Sequence, residues 1–116
     1  MADSDPSRPV RVVLVDDHHL VTEVIRLAWA RSDEIEVVAT ARSITTALVE
    51  VFELRPDVVV LDRRLPDGDG LNAVASLTAQ DVPVLMLTGD ATVSVAARAA
   101  EAGAAGLVLK SARWKS

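Results

Sequence analysis

The sequence predicts a single α/β domain, a doubly wound five-stranded parallel sheet with helices on both faces and a fifth helix missing or truncated. Three observations carry this reading. Val12-Val13-Leu14-Val15, Val58-Val59-Val60-Leu61, Val84-Leu85-Met86-Leu87 and Gly106-Leu107-Val108-Leu109 are short, rich in Val and Leu, and free of alternation. Strands buried on both faces of a parallel sheet have this pattern. Helix-period segments separate the runs, and right-handed crossovers then place helices on both sheet faces. Finally, each run ends in polar residues: Asp16 and Asp17, Asp62, Thr88, and Lys110. The carboxyl ends of such strands lie along one edge, where ligands bind.

The elements follow in order. The first strand ends at Asp16. A helix over residues 18–31 comes next, with Leu20, Val24, Leu27 and Ala28 on one face and Val21 and Ile25 widening it. Residues 35–40 form the second strand. Ser43 caps a second helix whose apolar face is Ile44, Ala47, Leu48 and Val51, and Pro56 ends that region. The third strand covers 58–61, followed by a loop rich in Pro and Gly over 65–70. Leu71, Val74, Ala75 and Leu77 mark a third helix, and Pro83 precedes the fourth strand. An Ala-rich fourth helix over 92–102 stops at Gly103. The fifth strand ends at Lys110, and the six residues after it leave room for barely a turn.

The chain has 116 residues, which bounds it to one domain. Residues 1–9 read as a disordered lead-in and 10–116 as the domain. Half of the residues are hydrophobic, yet no run approaches the length that spans a membrane. The absence of cysteine excludes disulfides and thiol catalysis and fits a cytoplasmic protein. A net charge of −5 argues against nucleic-acid binding by this chain alone.

The strand-end residues suggest their own chemistry. Asp16, Asp17 and Asp62 gather three negative charges, which call for a proton or a cation. Mg2+ matches, because it takes oxygen ligands and keeps several waters. One or two carboxylates, a backbone carbonyl from the loop after Asp62, and waters fill such a shell. Lys110 and the Thr88 hydroxyl then meet phosphoryl oxygens, an arrangement for phosphoryl transfer to a carboxylate. Taken singly, each residue has a plainer role: a solvated acid, a surface lysine, a helix cap. Their joint occurrence at separate strand ends favours the site. His18 and His19 read as exposed helix-start residues rather than metal ligands, and Trp29 as packed on the rim of the first helix. Asp67-Gly68-Asp69-Gly70 looks like part of a calcium loop, but Thr78 stands where the bidentate acid belongs.

From Arg11 to Lys110 the chain resembles the receiver domain of bacterial two-component response regulators. The motifs are the Asp16-Asp17 pair, Asp62 followed by Leu65-Pro66 and Gly70, Thr88, and Lys110. Val15-Asp16-Asp17-His18, Leu65-Pro66-Asp67-Gly68 and Leu109-Lys110-Ser111-Ala112 are most similar to the NarL/LuxR-type branch. The resemblance implies a flavodoxin-like (CheY-like) fold with strand order 2-1-3-4-5. It implies Asp62 as phosphoacceptor, Asp17 as direct Mg2+ ligand, Asp16 acting partly through water, and the Arg64 backbone carbonyl as the remaining protein ligand. Thr88 matches the switch hydroxyl and Lys110 the invariant lysine. A sensor histidine kinase is the implied partner. DNA is reached only through an effector domain that this sequence does not contain, and no enzyme activity is implied beyond limited self-phosphorylation and dephosphorylation.

Three departures stand out. Leu107 occupies the position of the family's switch Tyr or Phe. Arg64 and Asp90 are placed to face each other across the site mouth. The fifth helix, which shares a sheet face with the first, is missing. Each Val or Leu left uncovered there forfeits about 1.5–3 kcal/mol, so a homodimer, or Trp114 folding back with a partner, is expected to cover that face. Two other functions compete. One is a receiver-like interaction or dimerisation module that works without phosphorylation. The other is a haloacid-dehalogenase-like aspartyl phosphatase. In those enzymes, however, the nucleophilic Asp comes first and another Asp follows two residues later, where this chain has Arg64.

Overall fold

The computed structural model describes residues 8–89 and 93–109. Lys110, Asp90, Trp114 and most of the N-terminal lead-in lie outside them. The elements are β1 (Val10–Val15), α1 (His19–Ala30), β2 (Ile35–Ala41), α2 (Ile44–Leu54), β3 (Val58–Asp62) and a small hairpin of β4 (Arg64–Leu65) and β5 (Gly68–Asp69). A 3-10 turn (Gly70–Ala73), α3 (Val74–Thr78), β6 (Val84–Thr88), α4 (Val93–Ala102) and β7 (Gly106–Leu109) complete the order. The main sheet is wholly parallel and runs β2-β1-β3-β6-β7. This is the expected order 2-1-3-4-5, with the hairpin as an insertion.

Alternate strand residues supply two cores. Val13, Val15, Val59, Leu61, Val84 and Met86 pack with Ala47 and Val51 of α2, with Val74 and Leu77 of α3, and with Ala99 of α4. On the opposite face Val12, Leu14, Val60 and Leu87 pack with Ile25 of α1, with Val21 and Trp29 at the margin. Within the described residues, α1 is the only helix in that second core. Trp29 therefore sits where the sequence predicts.

The orientation of α1 differs from expectation. Leu20, Val24 and Leu27 were expected to face the core, yet they are 81%, 53% and 66% exposed. Val21 and Ile25, expected at the margin of that face, pack on the sheet together with Trp29. Helical periodicity permits both stripes, and contact with Val12, Leu14 and Val60 selects the second. In the third helical region Ala73 is buried and Ala75 exposed, because the segment opens with a 3-10 turn that shifts the facing residues.

The local stop and start signals act as read. The Ser43 hydroxyl accepts the Thr46 N–H at 3.1 Å and caps α2. Arg55, ahead of Pro56, ends it in a left-handed conformation. Gly103 takes φ +100° after α4.

The acids of the β4–β5 hairpin are caps. Asp67 reaches α2, where its carboxylate accepts the Ile44 N–H at 2.9 Å and the Thr45 N–H and hydroxyl at 3.1 Å. Negative charge is favourable at a helix N-terminus. These bonds, the Ile44 N–H first, hold the Asp67 carboxyl below its ordinary 3.8. A carboxyl with a lowered folded-state value adds stability above the unfolded value and loses it as pH falls through the lowered one. Between those two values, Asp67→Asn should therefore show a shallower acid loss of melting temperature than the wild type. Parallel curves would place the acid sensitivity elsewhere.

Candidate functional site

Register alone brings two carboxylates together. Val15 of β1 pairs with Leu61 of β3, so Asp16 and Asp62 follow at one level on adjacent strands. The Asp16 N–H donates to the Ala41 carbonyl on the other flank at 3.0 Å, which extends the β1–β2 ladder to this residue. Both side chains are almost fully buried. On the far side of β3, Asp62 pairs with Leu87, and the buried Thr88 follows at the end of β6. Thr88 in turn pairs with Leu109 of β7, the residue before Lys110. Two carboxylates and a hydroxyl thus share the sheet's carboxyl edge, as expected.

His18 sits where expected, exposed at the start of α1 as its N-cap residue with the ring 56% exposed, but it also contacts the acids. One oxygen of Asp16 accepts both the His18 backbone N–H and a bond from the ring Nδ1, each at 2.8 Å. The same Nδ1 lies 3.6 Å from Asp62 Oδ2. Asp16, His18 and Asp62 each offer a ligand atom within 4.8 Å of the others. Asp17, half-buried, is not in that group. A signal for His18 is present in the sequence: an Asp side chain often accepts the N–H two residues on. This turn carries the His18 ring toward the buried acids.

The segment after Asp62 shapes the rim. Arg63 donates its N–H to the Leu87 carbonyl at 3.1 Å. Its side chain reaches Asp69, Nε to Oδ2, at 3.5 Å, and Arg98 of α4 lies 4.0 Å from the same oxygen. Asp69 also accepts the Leu71 N–H at 2.9 Å and so caps the 3-10 turn. Arg64 is exposed in β4. The proposed facing of Arg64 and Asp90 involves a residue outside the described ones. Leu107 is half-buried and packs against the α2–α4 core at the expected switch position.

The donor set fits a divalent cation. Neighbouring ligands of an ion bound at 2.0–2.2 Å stand about 2.9–3.4 Å apart, and the 2.8 and 3.6 Å spacings here straddle that range. A cation also offsets the repulsion of two acids held in a low-dielectric cleft.

Comparison with known proteins identifies the family of this fold. Residues 12–115 match the family of the response regulator receiver domain. The DNA-binding transcriptional activator DevR/DosR of Mycobacterium tuberculosis is 39% identical over 103 residues, covering 87% of this chain and 48% of that protein. A protein-glutamate methylesterase/protein-glutamine glutaminase of Anaeromyxobacter dehalogenans is 36% identical over 104 residues, 89% of this chain and 30% of its own length. The chain thus spans less than half of either relative. Among solved structures, the NarL signal receiver domain of Mycobacterium tuberculosis superposes with a TM-score of 0.85 at 32% identity, covering 91% of this chain and 87% of that one.

Proposed function

The chain belongs to the response regulator receiver domain family, and we propose that it is a phosphoacceptor whose Asp62 takes a phosphoryl group from the phosphohistidine of a sensor kinase. The observation that carries this reading is the convergence of buried Asp16 and Asp62, with buried Thr88 on the next strand. In the proposed step, an Asp62 carboxylate oxygen forms the bond to phosphorus. The bond from phosphorus to the donor's imidazole nitrogen breaks, and its electron pair leaves on the nitrogen.

In this proposal Asp62, Asp17 and the Arg64 backbone carbonyl hold Mg2+ by resemblance, and Asp16, buried beside Asp62, acts partly through water. When bound, Mg2+ offsets charge on the phosphoryl oxygens. Thr88 donates its hydroxyl to one of those oxygens and Lys110 neutralises another. Leu107 cannot supply the aromatic part of such a switch. Intact mass after exposure to acetyl phosphate, with and without Mg2+, tests the proposal.

The role follows from the site. The protein acts as a signalling domain in the cytoplasm rather than as a dedicated enzyme. Its phosphorylation controls an output, a DNA-binding effector domain by analogy with DevR/DosR. No helix among the described residues is long and apolar enough to cross a membrane. The exposed stripe of Leu20, Val24 and Leu27 on α1 favours a homodimer. Light scattering of the 116-residue chain should give the mass of two copies. A monomer whose melting is independent of concentration would remove the dimer from the proposal.

A further inference from the structure

We propose that His18 Nδ1 is a direct ligand of the divalent cation, which makes this a mixed nitrogen–oxygen site able to take transition ions such as Zn2+. The inference deepens the phosphoacceptor reading, because it uses the same Asp16 and Asp62. Three observations support it. The nitrogen lies 2.8 Å from an Asp16 oxygen and 3.6 Å from an Asp62 oxygen, so one ion reaches all three atoms. The backbone bond from the His18 N–H to Asp16 holds the residue at the site at little further cost in chain entropy. The two acids are buried and the ring is 56% exposed, so an ion arriving from solvent meets the imidazole at the rim.

The chemistry sets the selectivity. Imidazole suits Zn2+, Ni2+ and Co2+, whereas Mg2+ is satisfied by carboxylates, carbonyls and water. To coordinate, the ring shifts its proton from Nδ1 to Nε2, so that the ion takes the place of the hydrogen bond that Nδ1 donates to Asp16. A nitrogen ligand therefore strengthens Zn2+ binding far more than Mg2+ binding. A histidine that only orients Asp16 would affect both ions alike.

Calorimetric titration of the full chain with Zn2+ and with Mg2+, without phosphodonor, separates these roles. His18→Asn should weaken Zn2+ by about tenfold or more and Mg2+ by less than about threefold. His19→Asn should change neither. Pulsed electron paramagnetic resonance of bound Mn2+ should show imidazole nitrogen coupling in the wild type and none in His18→Asn. Equal weakening of both metals, unchanged Zn2+ affinity, or absent nitrogen coupling overturns the assignment. Acetyl phosphate labelling of the wild type is read separately. A chain that labels on Asp62 but shows no Zn2+/Mg2+ split loses only the His18 assignment. A chain that shows the split but never labels loses only the phosphoacceptor reading.

Discussion

Incubated with acetyl phosphate and Mg2+, the chain should gain the mass of one phosphoryl group, and Asp62→Asn should gain none. The expected effect is complete, because an amide replaces the attacking carboxylate oxygen while the side chain keeps its shape. Asp62 ends β3, buried, with Asp16 alongside and Thr88 one strand away. A carboxylate is a weak nucleophile toward a phosphoryl group that carries like charge. In the proposed site, metal coordination reduces that repulsion, and the burial of Asp16 and Asp62 limits its screening by water. Chelation of Mg2+ should therefore abolish labelling as fully as the Asn substitution does. Labelling that survives in Asp62→Asn would place the acceptor elsewhere. Labelling absent from the wild type under all conditions would favour the phosphorylation-independent interaction module.

Gly70→Ala should damage the fold and the site together. A Cβ at position 70 would overlap the Asp62 carbonyl oxygen and stand 3.2 Å from Arg63 Cα. Both obstacles are backbone, so no rotamer change relieves them. Gly70 also donates its N–H to the Arg63 carbonyl, which closes the turn under the site. Moving the loop aside shifts the main chain that carries Asp62. Overpacking of this kind costs about 1–3 kcal/mol, and each kcal/mol lowers the melting temperature of a small domain by about 4–8 °C. Phosphorylation should slow as well, since a misplaced nucleophile loses the orientation that makes it effective. Gly89→Ala is the matched control, with nothing among the described residues within 4 Å of its added Cβ. It should melt close to the wild type. If Gly70→Ala melts and labels like Gly89→Ala, the loop has slack that its contacts do not reveal.

Much of the site is legible in the chain because its parts are local. A non-alternating apolar run marks a buried strand, and the first polar residue after it marks the ligand edge. Asp16, Asp62 and Thr88 are found that way, and the parallel pairing of Val15 with Leu61 sets two of them side by side. The family motifs add roles to those positions but do not change where they lie.

The remainder depends on partners distant in sequence or on orientation. Asp67 and Asp69 look alike in a turn of acids and glycines. Only the fold sends Asp67 to the N-terminus of α2, more than twenty residues earlier, and Asp69 to Arg63 and the 3-10 turn. His18 is adjacent to the acid pair, yet composition does not say whether a helix-start side chain turns outward or inward. The turn closed by Asp16 decides it.

The sequence by itself determined the strands and the polar edge, because strand burial and chain punctuation are written in consecutive residues, while the strand order and Asp62 as phosphoacceptor candidate came from the resemblance to receiver domains. Only the tertiary structure decided the rotation of α1 and the contact of the exposed His18 ring with Asp16. Helix α1 carries two apolar stripes of helical spacing, and no local rule ranks Val21, Ile25 and Trp29 above Leu20, Val24 and Leu27. The shape of the sheet face formed by Val12, Leu14 and Val60 makes that choice, since packing energy depends on which side chains interlock rather than on how apolar each stripe is.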